Sequence, residues 1–210
     1  MGDWADGAQR SGEEGERAVQ ALIAVLAGGR ATRLGGAKAT AELGGRPLIE
    51  HVLDAAGPDA VVVAKPGTAL PPLAVPVLEE PAEPSHPMAG IVEALRDSGG
   101  LPVLAVACDM PFVTHDLLAW LAELPEPLAV PALEGRLHPL LGRYPPELLG
   151  ELEAALAARR PLRETVAGLG PYEIPASELE PFGDPGRLLF NVNTPEDLQA
   201  AERLLAEGPG

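Results

Sequence analysis

Short apolar segments alternate with amphipathic segments along the chain from Gln20 onward. Apolar runs of five to eight residues are typical of strands buried on both faces, and apolar side chains three and four positions apart are typical of helices that cover a sheet. The alternation therefore predicts an α/β fold with a mostly parallel, open sheet and helices on both faces. The predicted strands are residues 21–26, 60–64, 75–78, 101–108, 128–133, 137–144 (after a turn at Glu134-Gly135), 172–176 and 189–192. The predicted helices are residues 47–56, 88–97, 114–124 with a Thr114 cap, 146–158, 161–167 and a last one that begins after a Thr194 cap.

The length of 210 residues suits one α/β domain and is tight for two. No repeat and no linker divides the chain, so we expect a single domain over residues 19–207. Residues 1–18 are acidic and rich in glycine, which predicts a disordered tail. The same acidic residues are unlike the basic start of a signal peptide.

Charge and cysteine content exclude several classes of function. The chain has 31 acidic and 15 basic residues, a net charge of −16. A general nucleic-acid binder or a binder of anionic membranes needs a basic face, so neither partner is expected. The apolar runs are far shorter than the roughly 18 residues of a membrane span. Cys108 is the one cysteine, so the chain forms no internal disulfide and suits a reducing cytoplasm.

A glycine loop with a group of cations follows the first predicted strand. Residues 27–49 contain four cations and one acid, a local charge of +3. Glycines let backbone N–H groups approach a phosphate, and local positive charge attracts a polyanion. The spacing fits neither a Walker A loop nor a dinucleotide-binding fingerprint, and an ordinary turn with exposed arginines is the alternative. The predicted binding residues in and beside this loop are Leu26, Ala27, Gly28, Gly29, Arg30, Arg33 and Lys38. The N–H groups of residues 27–30 and the two cations Arg33 and Lys38 are the predicted phosphate contacts.

Asp109 follows the strongest predicted strand, at the end of the sheet where open α/β folds bind ligands. Mg²⁺ is commonly held by one or two carboxylates together with water and phosphate oxygens, so Asp109 is a predicted magnesium ligand. The alternative is a helix cap, although Thr114 is better placed for that role. Asn193 carries an amide oxygen near a second strand end, and its alternative is a turn residue before the Thr194 cap.

The chemistry that these residues support is group transfer between phosphates. The sequence offers no Ser/His/Asp or Cys/His set and no cluster of cysteines and histidines for a metal. Backbone donors, cations and one anchored carboxylate suit phosphoryl or nucleotidyl transfer, in which positioning and charge neutralisation do most of the catalysis. A phosphate monoester has a second pKa of about 6, so as a nucleophile at neutral pH it needs no general base.

Several motifs together resemble the MobA-like family of molybdenum cofactor guanylyltransferases. The glycine loop is similar to the signature loop of nucleotidyltransferases in general. The segment around Asp109, residues 108–112, and the Asn-x-Asn-Thr-Pro segment at residues 191–195 make the likeness specific. The likeness extends over about residues 21–205. The motifs are LAGG at 26–29, RLGG at 33–36 with Lys38, GGRPL at 44–48, PMAG at 87–90, CDMPF at 108–112, HPL at 138–140 and NVNTPEDL at 191–198.

The resemblance implies a Rossmann-like nucleotidyltransferase fold and the transfer of GMP from GTP to molybdopterin, with pyrophosphate as the second product. It implies Mg²⁺ as the cofactor and molybdoenzymes or cofactor-delivery proteins as further partners. His138 is either a core or turn residue or, by resemblance, a contact of the pterin. Three arginines, 159, 160 and 163, form either a solvated helix end or a second phosphate site. The implied site residues are Arg33, Lys38 and Asp109 for catalysis, Asp109 and Asn193 for the metal, and Glu80, Gly90, His138 and Asn193 among the substrate contacts.

The chain departs from the family pattern at three places. Residues 35–38 read GGAK where the family has GGxDK, one residue longer and with an acid. Ala64 and Lys65 stand where the family often has Asn. Glu79 or Glu80 stands where the family commonly has an Asp, and Glu80 is the better match. The alternatives that stay open are CTP on molybdopterin, a nucleotide on a sugar phosphate, and a non-catalytic nucleotide- or cofactor-binding partner.

Overall fold

The computed structural model describes residues 21–28, 30–31 and 36–208, with the backbone alone at residues 30–31 and 36–37. The tail expected at residues 1–18 lies outside the described residues, as do the predicted contacts Gly29 and Arg33 and the side chain of Arg30.

The described chain alternates strands and helices, as the sequence pattern predicts. The strands are β1 (Leu22–Leu26), β2 (Arg30–Ala31), β3 (Gly36–Ala37), β4 (Glu42–Leu43), β5 (Arg46–Pro47), β6 (Val61–Ala64), β7 (Val77–Glu79), β8 (Val103–Ala107), β9 (Ala129–Leu133), β10 (Arg136–Leu137), β11 (Leu141–Tyr144) and β12 (Tyr172–Ile174). The α-helices are α1 (Leu48–Ala56), α2 (Pro87–Asp97), α3 (His115–Ala122), α4 (Leu149–Ala157), α5 (Leu162–Gly168), α6 (Ala176–Leu179), α7 (Pro185–Leu188) and α8 (Pro195–Ala206).

Eight of the strands form one sheet in the order β10-β9-β11-β8-β1-β6-β7, with β12 paired to β9. Strands β8, β1, β6 and β7 are parallel neighbours, and β11 adds an antiparallel extension beside β8. The chain runs outward from β1 to β6 and β7, then returns to the other side of β1 as β8. The point at which the strand order reverses therefore lies between β1 and β8, the place where open α/β sheets bind ligands.

The two faces of the sheet bury two separate hydrophobic clusters. Val25 of β1 faces a cluster that includes residues of α1 and α3. Its neighbour Ala24 faces a second cluster that includes residues of α2 and α4. Successive strand residues point to opposite faces, so both faces are covered and the predicted layer arrangement is confirmed. No helix in the described part of the chain is long and apolar enough to cross a membrane.

Two predicted strands differ from the structure. Residues 189–192 form no strand, because Val192 N–H donates to the carbonyl of Asp109 (2.9 Å) and the Asn191 side chain donates to the Leu189 carbonyl (2.8 Å). Predicted strand 137–144 is two strands, since a turn centred on residues 138–140 interrupts it. The predicted turn at Glu134-Gly135 is present, and both residues have left-handed φ angles of 53° and 74°, as a tight hairpin requires.

Arg143 is a buried cation in β11 that holds the end of α3 in place. Its guanidinium donates to the carbonyls of Ala122, Glu126 and Pro127 at 3.4, 3.3 and 3.1 Å. We expect Arg143→Met to lower the free energy of unfolding by about 1–3 kcal/mol, because buried carbonyls lose their donor. Urea denaturation measures this, and exposed Arg203→Met is the control, expected to change it by less than about 0.5 kcal/mol. Equal effects of the two substitutions on the free energy of unfolding would show that the Arg143 hydrogen bonds do not stabilise the fold.

Candidate active site

A cavity of about 340 Å³ lies at the carboxyl ends of the parallel strands. Its position matches the ligand site expected of an open α/β sheet. Asp109 follows β8 and Glu80 follows β7, so these carboxylates flank the loop after β1 from opposite sides. The cavity brings together six of the predicted site residues: Leu26, Gly28, Lys38, Glu80, Gly90 and Asp109.

Asp109 is held rigidly at the end of β8. It is 5% exposed, and its backbone carbonyl accepts a hydrogen bond from the N–H of Val192. Its Oδ2 accepts from the Lys38 ammonium at 2.6 Å, whereas its buried Oδ1 has no hydrogen-bond partner among the described residues. The alternative role as a helix cap is wrong, because Thr114 caps α3 by accepting from the N–H of Leu117. One carboxylate oxygen is thus left for an incoming ligand.

Lys38 bridges two elements that are far apart in sequence. Its Nζ donates to Asp109 Oδ2 and also to Asn193 Oδ1, at 2.5 Å. Asn193 precedes α8, where Thr194 and Asp197 form a capping box and the Asn193 N–H also donates to the Asp197 carboxylate (2.9 Å). Asn193 is therefore both a turn residue and a neighbour of Asp109. Although the loop before Lys38 is short, its side chain reaches the aspartate.

The oxygens around the Lys38 ammonium fit a divalent cation. Asp109 and Asn193 both direct a side-chain oxygen at one positive charge, and Asp109 Oδ1 is an unused buried acceptor. Among the described residues no group of three or more His, Cys, Asp and Glu could hold a metal. Mg²⁺ does not require such a group, because it takes the rest of its ligands from water and substrate phosphates. Asp109 and Asn193 are the residues that fit it.

Glu80 is a buried carboxylate at the opposite side of the loop. It is 4% exposed, and burial raises its pKa, while the Lys65 ammonium at 3.6 Å from Oε1 acts in the opposite direction. Two glycines leave the space that the carboxylate fills. A Cβ at Gly28 would lie 1.8 Å from Oε1, and a Cβ at Gly90 would lie 3.4 Å from Oε2. Glu80 is therefore wedged between the loop and α2.

A second cavity, of about 570 Å³, adjoins the first and shares the lining residues Pro87 and Leu140 with it. Asn193 and His138 also line it. His138 lies in the turn between β10 and β11, and burial together with two nearby arginines lowers its pKa. Those two cations, Arg136 and Arg163, line the same cavity.

The predicted cluster of three arginines is divided in the structure. Arg163 donates to the Leu137 carbonyl (3.1 Å) and lines the second cavity. Arg160 lines a different cavity between α4 and α5, together with Glu151 and Glu164. Arg159 is exposed at the end of α4. The three cations therefore do not form one phosphate site, because the turn after α4 directs them to different sides.

Comparison with known proteins decides the family. Residues 23–171 match the model of the MobA-like NTP transferase domain. The chain belongs to the MobA-like NTP transferase family. It is 38% identical over 201 residues to the molybdenum cofactor guanylyltransferase of Rhizobium johnstonii, with 86% of this chain and 91% of the relative covered. It is 36% identical over 191 residues to that of Cereibacter sphaeroides, with 86% and 95% covered.

A solved structure confirms the fold of this MobA-like NTP transferase. The chain resembles molybdopterin-guanine dinucleotide biosynthesis protein A from Archaeoglobus fulgidus, with a TM-score of 0.77 and 28% identity over 89% of this chain and 99% of that one. The expected Rossmann-like nucleotidyltransferase fold is therefore present. The chain is a nucleotidyltransferase, and the prediction that it is an enzyme is confirmed.

Two contacts of this MobA-like NTP transferase escape sequence reasoning. The Ala27 N–H, predicted to face phosphates, donates instead to the carbonyl of Val63 (2.8 Å), because the sheet hydrogen bonding continues one residue past β1. Lys65, which from the sequence is only a departure from the family pattern, is the cation beside Glu80. The available signal was its position directly after a buried strand, on the side of the sheet where Glu80 follows the next strand.

The close approach of Glu80 to Gly28 leads to a prediction about the site of this MobA-like NTP transferase. We expect Gly28→Ala to weaken nucleotide binding about tenfold or more, because the new Cβ displaces the Glu80 carboxylate. Isothermal titration calorimetry measures the affinity. Gly150→Ala in α4 is the matched control, since a Cβ there meets nothing within 4 Å. Native affinity in Gly28→Ala would show that nucleotide does not need Glu80 in this position.

Proposed function

We propose that this nucleotidyltransferase transfers GMP from GTP to molybdopterin, forming molybdopterin guanine dinucleotide and pyrophosphate. The observation that carries the proposal is that one cavity holds Lys38 and Asp109 on one side of the β1 loop and Glu80 on the other. Such a cavity offers separate places for a triphosphate and for a base. The names of the relatives from Rhizobium johnstonii and Cereibacter sphaeroides support guanine and the molybdenum cofactor as the substrates.

The phosphate side of the cavity supplies cations and backbone donors. Lys38, with Arg33 of the same loop, is proposed to neutralise the triphosphate, and the N–H groups of residues 28–30 are proposed to bind its oxygens. Asp109 and Asn193 are proposed to hold Mg²⁺, which when bound supplies further neutralisation of the triphosphate charge. Lys38 then leaves these two oxygens and donates to a phosphate instead.

The reaction itself needs positioning more than proton transfer. The terminal phosphate of molybdopterin is largely ionised at neutral pH, because its second pKa is about 6. One of its oxygens attacks the α-phosphorus of GTP in line, a new P–O bond forms, and the bond to the departing pyrophosphate breaks. Lys38 stabilises the negative charge that builds up on the pyrophosphate. No general base is required at the nucleophile.

The base side of the cavity favours guanine. An ionised carboxylate only accepts hydrogen bonds. Guanine presents two adjacent donors, N1–H and N2–H₂, on its pairing edge, whereas cytosine presents one donor and two acceptors there and adenine presents one donor and one acceptor. Glu80 therefore favours GTP over CTP and ATP, and this counts against the alternative of CTP on molybdopterin.

The second cavity suits the acceptor. The two arginines and His138 that line it present donors to an anionic molecule. Asn193 also lines this cavity and accepts from Lys38, so the cavity adjoins the Asp109 site. Molybdopterin carries a phosphate, so we assign it to this cavity. Delivery of the product to molybdoenzymes or cofactor-delivery proteins belongs to the same proposal. The alternative of a non-catalytic binding partner is disfavoured by the contact between Lys38 and Asp109, which forms although the loop is one residue short.

A pyrophosphate-release assay tests the proposal. The enzyme is incubated with molybdopterin, Mg²⁺ and one of GTP, CTP or ATP. We expect release with GTP to exceed release with the other two by at least about tenfold, and to need the acceptor. Faster release with CTP, or no release with any of the three, would contradict the proposed function. A sugar phosphate in place of molybdopterin tests the remaining acceptor.

A further inference from the structure

The Lys65 ammonium donates to backbone carbonyls on one side and faces the Glu80 carboxylate on the other side. It follows β6 directly, and its side chain is 12% exposed. Its ammonium donates to the carbonyls of Pro81, Ala82 and Pro84, at 2.8, 3.1 and 3.4 Å. The same nitrogen lies 3.6 Å from Glu80 Oε1. The three backbone carbonyls therefore hold the Lys65 ammonium next to the Glu80 carboxylate.

Few other charges act on Glu80. Within the described part of the chain, Lys65 is the one cation within 4 Å of it. Glu93 of α2 acts against ionisation from farther away. His86, at the start of α2, lines the cavity, as do Lys38 and Asp109, which neutralise each other in an ion pair. The charge state of Glu80 therefore depends on burial, which raises its pKa, and on Lys65, which lowers it.

The charge state of a carboxyl group decides which base it can pair with. As a carboxylate it offers two acceptors, the complement of the two donors of guanine. As a neutral acid it offers one donor and one acceptor, the complement of the pairing edge of adenine. A buried carboxyl beside a base thus reads guanine when it is ionised and tolerates adenine when it is not.

We propose that Lys65 is a positioning residue that keeps the Glu80 side chain in place as a two-acceptor carboxylate and thereby sets the preference of this site for GTP over ATP. The inference rests on the proposed function, because it places the nucleotide base at Glu80. It adds a residue at which this chain differs from the Asn often found in the family, and it makes base preference depend on a group that does not touch the base.

Substitution of Lys65 has a defined pH signature. Without the cation, burial acts unopposed and the pKa of Glu80 rises further, so the carboxyl stays neutral up to a higher pH. The affinity of Lys65→Met for GTP should therefore fall as the pH is lowered, and should do so at a higher pH than in the native enzyme. Affinity for ATP should not fall with it. If Lys65 had only a structural role, its substitution would not shift the pH dependence of GTP affinity in this way.

The experiment compares the dissociation constants of GTP, ATP and inorganic tripolyphosphate by calorimetry without divalent metal, between about pH 6 and pH 8.5. The proteins are the native enzyme, Lys65→Met, Lys65→Arg, Glu80→Gln and the double variant Lys65→Met/Glu80→Gln. We expect Lys65→Met to narrow the ratio of GTP to ATP affinity about tenfold at neutral pH. Tripolyphosphate affinity should stay native, and Lys65→Arg should keep the native ratio.

The double variant separates action through Glu80 from a structural role. If Lys65 acts through the carboxylate, Lys65→Met has no further effect on the GTP to ATP ratio once Glu80 is Gln. A native ratio in Lys65→Met, an equal further loss in the double variant, or an equal loss of tripolyphosphate affinity would each overturn the role of Lys65. A native enzyme that binds ATP as well as GTP, with no effect of Glu80→Gln, would instead contradict the proposed function itself.

Discussion

Asp109→Asn is expected to fold like the native enzyme and to release pyrophosphate about 10²- to 10³-fold more slowly. The amide keeps the size of the carboxylate and can still accept from Lys38, so the core around β8 is preserved. The negative charge that would hold a cation against the triphosphate is removed, and electrostatic stabilisation of this kind commonly contributes about 3–4 kcal/mol to catalysis. Turnover with GTP, molybdopterin and Mg²⁺ is the measurement.

The effect should be confined to the metal-dependent reaction. GTP affinity without Mg²⁺ should stay the same or improve in Asp109→Asn, because a negative charge that faces the phosphates is gone. Asp116→Asn, an exposed carboxylate in the first turn of α3, is the matched control and should keep native turnover. Turnover of Asp109→Asn within a few-fold of the native rate would mean that the aspartate has only a structural role.

Lys38→Ala is expected to weaken GTP binding about ten- to a hundredfold, because a charge-assisted contact to phosphate contributes about 1.5–3 kcal/mol. Added salt should weaken GTP binding by the native enzyme more than by the variant, since one charge pair is missing. Arg203→Ala, an exposed cation on α8, is the control and should bind GTP as the native enzyme does. Unchanged affinity in Lys38→Ala would show that this side chain stays with Asp109 when nucleotide binds.

The same variant has a signature without any nucleotide. Loss of the ammonium leaves the buried Asp109 carboxylate without its partner, so the melting temperature of Lys38→Ala should fall. Mg²⁺ should raise that melting temperature more than it raises the native one, because in the native enzyme Lys38 competes for the same oxygens. Equal effects of Mg²⁺ on both proteins would place the cation elsewhere.

Local patterns explain how much of the fold the sequence predicts. Apolar runs identify the parallel strands, and Thr114 and Thr194 mark helix starts that the structure confirms. Residues 189–192 are as apolar as a short strand, yet their backbone bonds to the loop at Asp109 rather than to a strand. The hydrogen-bond partners of this segment depend on which parts of the chain meet in space, and a local sequence pattern does not contain that information.

The candidate site shows the same limit. Asp109 could be predicted, because a carboxylate directly after a buried strand has a fixed place in an open sheet. The contact of Lys38 with Asp109 and Asn193 joins three segments, and the length of the loop before Lys38 gave no measure of its reach. Lys65 was harder still, because its role depends on three backbone carbonyls and on the burial of Glu80.

The fate of labelled phosphate tests the central claim most directly. The native enzyme is incubated with molybdopterin, Mg²⁺ and GTP that carries the label at either the α or the γ position. Attack at the α-phosphorus predicts that the α label appears in the pterin dinucleotide and the γ label appears in pyrophosphate. Transfer of the γ label to the pterin, or label in GDP and inorganic phosphate alone, would contradict guanylyl transfer.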